Sequence, residues 1–188
     1  MKSEVRELLT EELKDAYSAE KQALRCMQKA LRKASANALR EGIQLHIDQT
    51  QVQIERLEQA MEKMNVRPGR KVCEAMRGLV EEAQHEIEEH DEKGPILDLV
   101  IVAGMQRIEH YEIAAYGTDI ALAKALGESE VVDLLSLTLE EEKQTDQQLT
   151  DVTEQHIMPA AMETDEAAEE DEPADRKTPA RGVRAKAA

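Results

Sequence analysis

The sequence predicts an all-α protein: a four-helix bundle with one additional shorter helix. Three observations carry this. Gly and Pro, which interrupt helices, are scarce inside the long segments where apolar residues recur every three or four positions. Ala, Leu, Glu, Gln and Lys dominate those segments, and all favour helices. Phe and Trp are absent from the 188 residues, so the core must be built from Leu, Ile, Val, Met and Ala. A chain of this length suffices for one bundle domain plus a tail.

The elements follow in order. A first helix is expected from about Ser3 to Lys33, capped at Ser3 or Thr10. Its inward stripe reads Leu13, Ala16, Tyr17, Glu20, Leu24, Met27, Leu31. The second opens at Ser35 or Asn37 and reaches about Met64. Asn65 to Lys71 is a loop by its Pro-Gly pair. A shorter helix spans roughly Cys73 to His90, with Met76, Leu79, Val80, Ala83 and Ile87 on its apolar face and a glutamate-rich face toward solvent. Asp91 to Pro95 breaks the chain, and Pro95 suits the first turn of the next helix. That helix runs to about Leu126, with Gly127 as its C-terminal cap. The last spans about Glu128 to His156, is stopped by Pro159, and turns Val131, Leu135, Thr138, Glu142 and Leu149 inward.

The domain is therefore expected over 1–158 and a tail over 159–188. The tail is acidic from Glu163 to Asp175 and basic thereafter. It has almost no large apolar residues and is predicted to be disordered. Its basic end offers at most weak anion or nucleic-acid binding. A net charge of −16 argues against nucleic acid as a general partner. No apolar run approaches the ~20 residues that cross a bilayer, and the N-terminal residues lack the apolar core of a signal peptide. A cytoplasmic setting is expected, with Cys26 and Cys73 as reduced thiols, since they lack CxxC spacing.

Against this background four residues are out of place. Glu20, Glu109, Glu112 and Glu142 fall where helical periodicity assigns apolar side chains. A carboxylate in a bundle core is costly unless it is paired, protonated or bound to a metal. The long helices also form two similar pairs. Glu20 precedes Gln49 by 29 positions (49 − 20), and Glu112 precedes Glu142 by 30 (142 − 112). His46, Gln49 and Gln53 match Leu139, Glu142 and Asp146 in spacing, and Tyr17 and Glu20 match Glu109 and Glu112. Two hairpins related by a pseudo-twofold axis, with polar residues meeting in the middle, have the layout of a di-metal carboxylate bundle. Such ligands suit iron or manganese.

Blander readings compete residue by residue. Glu20 alone would more often pair with Lys or Arg at a helix edge, and His46 alone would more often be a satisfied polar residue. His110 points about 100° from Glu109 and belongs at the surface or behind a ligand. His85, His90 and His156 look exposed. Tyr17 and Tyr116 either donate hydrogen bonds to ligands or simply pack. Met27, Met61, Met64 and Met105 fill core space.

At these residues the chain resembles the YciF-like ferritin-like family, bacterial and stress-associated. The resemblance rests on D-A-Y-S-A-E-K-Q (Asp15 to Gln22), Q-V-Q-I-E-R-L-E (Gln51 to Glu58), C-E-A-M-R-G-L-V-E-E-A (Cys73 to Ala83), E-H-Y-E-I-A-A-Y-G-T (Glu109 to Thr118) and L-E-E-E-K-Q-T-D (Leu139 to Asp146). It implies a ferritin-like bundle, a homodimer and a di-iron centre with ferroxidase or peroxide-scavenging chemistry. Glu20, Glu109, Glu112 and Glu142 would be metal ligands, joined by His46 and Asp146. One departure stands out. The family has H-L-E-E-T where this chain has H-I-D-Q-T (His46 to Thr50), so Gln49 replaces a carboxylate expected to face the metals. An amide offers one neutral oxygen and bridges cations poorly, which weakens the case for a tightly held second metal. The rival class is a non-enzymatic bundle whose inward polar residues fix helix register and whose function lies in a partner surface.

Overall fold

The computed structural model describes residues 2–90 and 92–163. Five α-helices follow one another: α1 (Lys2–Lys33), α2 (Asn37–Lys63), α3 (Glu74–Glu89), α4 (Pro95–Leu126) and α5 (Ser129–Val152). The tail expected to be disordered lies outside the described residues from 164 onward. Among the described residues no helix is long and apolar enough to cross a membrane.

Contacts along the helices fix the topology. Tyr17 bonds Glu58, Ser35 bonds Asp98, Arg6 bonds Glu128, and Gln53 bonds Glu141. Helix α1 is therefore antiparallel to both α2 and α4, and α5 is antiparallel to α2 and α4. The two hairpins α1–α2 and α4–α5 pack side by side. The segment between them runs the length of the bundle and carries α3, which lies on α1 and α4. Gly104 permits that close approach: a Cβ there would meet Ala83 Cβ at 2.9 Å.

Local signals end the helices largely as expected. Gly127, at φ 79°, adopts the left-handed conformation, and Glu128 N–H reaches back to the Ala123 carbonyl at 3.0 Å. Asn65 does the same after α2, with φ 55° and Val66 N–H bonded to Met61 O at 2.8 Å. Two expectations change. Neither Ser35 nor Asn37 caps α2 with its side chain. Ala36 is the N-cap, and the cap comes from another helix: Asp98 of α4 accepts from Ser35 N–H (2.8 Å), Ser35 Oγ (2.6 Å) and Ala36 N–H (2.9 Å). Nor does Pro159 stop the last helix. A π-turn over Thr153–Ile157 bonds Met158 N–H to Thr153 O, and helix continues over 158–163. The wider turn absorbs the missing proline donor, with Ile157 buried inside it and Ala161 buried beyond it.

The inward face of α1 is also narrower in side chain than expected. Leu9, Leu13, Ala16, Ala19, Glu20, Ala23, Cys26, Met27 and Ala30 are buried, while Tyr17, Leu24 and Leu31 are only partly so. Three neighbours crowd α1, and alanines let them approach. Met27, Met61, Met64 and Met105 fill core, and both cysteines are buried and free. Apolar core gathers in two clusters, one around Met27, Ile43 and Ile101 and one around Leu13, Leu57 and Leu135. A layer of buried polar side chains separates them.

Candidate metal centre

The polar layer draws on all four long helices. α1 contributes Glu20, α2 His46, Thr50 and Gln53, α4 Glu109 and Glu112, and α5 Thr138, Glu142 and Thr145, all buried. His46, Glu109, Glu112 and Glu142 each offer a ligand atom within 4.8 Å of the others. His46 Nε2 lies 3.1 Å from Glu109 Oε1 and 3.4 Å from Glu142 Oε2. The imidazole is held from behind, its Nδ1 3.1 Å from Thr145 Oγ1, while Thr50 Oγ1 closes onto the His46 carbonyl at 2.8 Å. A proton on Nδ1 donated to Thr145 leaves the Nε2 lone pair facing the carboxylates.

Glu20 sits outside that group of four. It accepts a short hydrogen bond from the Tyr116 hydroxyl across the bundle. The four glutamates repel ionisation. Burial is the main cause, and each also feels the charge of its neighbours. Glu20 and Glu109 are pushed up to about 8, and Glu112 and Glu142 stand well above the usual carboxylate range. Glu109 and Glu142 lie close enough for each to shift the other. No protein N–H or neutral hydroxyl reaches Glu109 Oε2, Glu112 Oε1 or either oxygen of Glu142. Unpartnered buried oxygens beside a buried imidazole fit a cation. These three carboxylates and one nitrogen could hold a metal ion.

Two expected residues stand apart. Asp146 is at the α4–α5 seam, its side chain 24% exposed, where it accepts from Gln106 Nε2 at 3.2 Å and lies 3.3 Å from His110 Nε2. Its charge reaches Glu109 but it is not among the four. His110, His85, His90 and His156 are exposed. Gln49 is half-exposed, and its neighbour Thr50 is the buried residue. The reason is register. Leu39 and Val131, Ile43 and Leu135, and Leu57 and Leu149 are all buried and 92 positions apart (131 − 39, 135 − 43, 149 − 57). On that register the counterpart of Glu142 is Thr50 (142 − 92), whereas the sequence spacing paired Glu142 with Gln49. One residue of slip turns a side chain about 100° around the helix. The same relation pairs Glu20 with Glu112, His46 with Thr138, and Gln53 with Thr145, so the two hairpins share a backbone plan and differ in donors. The steps of three and four from Ile43 through His46, Thr50 and Gln53 to Leu57 carried this signal in the sequence. Tyr17 bonds Glu58 at the surface (2.8 Å), so only Tyr116 reaches a candidate ligand.

Comparison with known proteins agrees with this fold. A family described as a domain of unknown function (DUF892) matches residues 4–162. The chain is 45% identical to Protein YciF of Escherichia coli (strain K12) over 141 residues, covering 74% of this chain and 84% of that one. Among solved structures, the E. coli stress protein YciF superimposes with a TM-score of 0.75 at 43% identity, over 79% of this chain and 94% of that one. YcfI from Rhodopseudomonas palustris gives 0.75 at 40% identity, over 78% and 92%. A protein from Xanthomonas campestris shares the fold at 23% identity, with a TM-score of 0.68 over 86% and 99%.

Proposed function

The chain belongs to the DUF892 family, and we propose that it is a metal-binding stress protein whose polar layer holds two cations, iron in the working form, to oxidise Fe(II) with oxygen or peroxide. The observation that carries this reading is the set of fully buried carboxylate oxygens, on Glu109, Glu112 and Glu142, that no protein donor satisfies. Similarity to a stress protein supplies the physiological theme.

His46, Glu109, Glu112 and Glu142 would hold one cation, and Glu20 with shared carboxylates the other. Thr145 keeps the His46 ring in place, and Tyr116 keeps Glu20 turned inward. Burial of the whole layer excludes bulk water, so charge placed there is weakly screened. Redox-active cations bound there would supply electrons to oxygen or peroxide. Stability of the loaded site follows from neutralising glutamates that otherwise repel one another.

Metal analysis of protein purified without chelator tests the proposal. Two irons per chain, lost in Glu112→Ala and Glu142→Ala, with peroxide or oxygen consumed on Fe(II) addition, is the expected result. A metal-free protein whose stability ignores Fe(II) would sink it. That outcome favours the second reading, a bundle whose polar layer is structural. The Tyr116–Glu20 bond speaks for it, since it holds α4 to α1 in register without metal.

A further inference from the structure

Gln53 is fully buried, at 0% exposure, on the α2 side that faces α5. Chemistry sets the orientation of its amide. Arg56 grips Glu141 with hydrogen bonds of 2.6 and 2.8 Å, and the same carboxylate accepts from Gln53 Nε2 at 3.0 Å. A carboxylate only accepts, so the NH2 end must face Glu141 and the carbonyl must face away from it. That oxygen, Oε1, has no hydrogen-bond partner. A buried carbonyl left alone is destabilising, yet Arg56 and Glu141 hold it in this orientation.

Its place in the layer explains what it faces. The register that pairs the hairpins makes Gln53 the counterpart of Thr145, which steadies His46, and makes Thr138 the counterpart of His46. Arg56 lies 3.4 Å from Thr138 Oγ1. The polar layer thus has two unlike ends. One carries His46 and Glu109. The other carries Glu20, Thr138 and Gln53, with no imidazole. Tyr17 bonds Glu58 across the α1–α2 seam, so Glu20, three residues along α1, stands within a turn of the height of Gln53. Glu20 lies within electrostatic reach of Glu142, of His46 and of Glu141, the partner of the Gln53 amide.

We propose that Gln53 Oε1 is a neutral oxygen donor to the second cation, held at this end together with Glu20 and the shared Glu142. This rests on the metal-centre reading above. It makes the two positions unequal: the His46 end has three carboxylates and an imidazole, and the Gln53 end has fewer charges and an amide. On this assignment the amide that limits the second position belongs to Gln53 and not to Gln49.

Isothermal titration of the full chain with manganese(II) tests this. The wild type is expected to bind in two steps of unequal affinity. Gln53→Met keeps the volume and removes the carbonyl. It should weaken the looser step about tenfold or more and leave the tighter step unmoved. Gln53→Glu should strengthen the looser step beyond the wild type, a rescue that a packing role would not produce. Circular dichroism melts verify that each variant is folded. An unchanged isotherm in Gln53→Met, or a single step in the wild type, overturns the assignment while the metal centre stands. No manganese binding at all removes the metal centre, and this assignment with it.

Discussion

His46 Nδ1 sits 3.1 Å from Thr145 Oγ1, one helix over. That contact decides which ring nitrogen meets the carboxylates. Thr145→Val keeps the shape and deletes the hydroxyl, so the ring is free to turn. Metal affinity should fall about 10–100-fold, as for other groups that orient a ligand, with the fold intact. Titration calorimetry beside a thermal melt measures both. Unchanged affinity would show that packing alone orients the ring.

Metal uptake should release protons. Glu20 and Glu109, held near 8, are largely protonated at neutral pH, and a cation must displace those protons. Affinity should therefore rise as pH climbs from about 6 toward 8. Repeating the titration in buffers of different ionisation enthalpy counts the protons released. A pH-independent affinity would contradict the raised values.

Asp119 is another buried acid, away from the four glutamates. It is 0% exposed, both oxygens lack partners, and burial, with Glu12 and Asp15 of α1 nearby, pushes it from its ordinary 3.8 up to about 8. The sign is clear. Between those values the unfolded chain is ionised and the folded chain holds the proton, so the contribution of Asp119 is complete below 3.8 and is lost as pH rises through about 8. Asp119→Asn cannot ionise. Its denaturation free energy should fall less steeply than that of the wild type over this window, by at most about 1.4 kcal/mol per pH unit. Parallel curves would mean that Asp119 is ionised in the fold.

Asp98 reaches across from α4 to cap α2 with three hydrogen bonds. Asp98→Ala leaves two N–H groups and a hydroxyl without their acceptor and should destabilise the fold by about 2–4 kcal/mol. Urea denaturation reads this directly. A loss below about 0.5 kcal/mol would show that water replaces the carboxylate.

Gly104→Ala places a methyl 2.9 Å from Ala83 Cβ. α3 would have to move off α4, at about 1–3 kcal/mol. Ala83→Gly in the same chain should recover much of that loss. If it does not, the contact between α3 and α4 is not what the methyl disturbs.

How much of this was legible beforehand varies with the physics involved. Helix identity was, because the apolar period is local: α4 was read from Pro95 to Leu126, the bounds observed. Glu20, Glu109, Glu112 and Glu142 were legible as polar residues on apolar stripes, and all four are buried. Gln49 was matched to Glu142 because near-equal intervals, 29 from Glu20 and 30 from Glu112, were taken as the register between hairpins. Only the full set of buried positions fixes that register at 92.

The sequence by itself determined the helices, their inward faces and the presence of acids in the core, since each depends on neighbours three or four residues away. Tertiary structure alone decided which donors meet. The cap on α2 comes from Asp98 more than sixty residues away, Tyr116 turns to Glu20 and not to its own helix, and the buried amide is Gln53. Each depends on how one helix is rotated and shifted against another. That rotation is set by packing between helices, such as the buried alanines of α1 and Gly104 against Ala83, which no local spacing records.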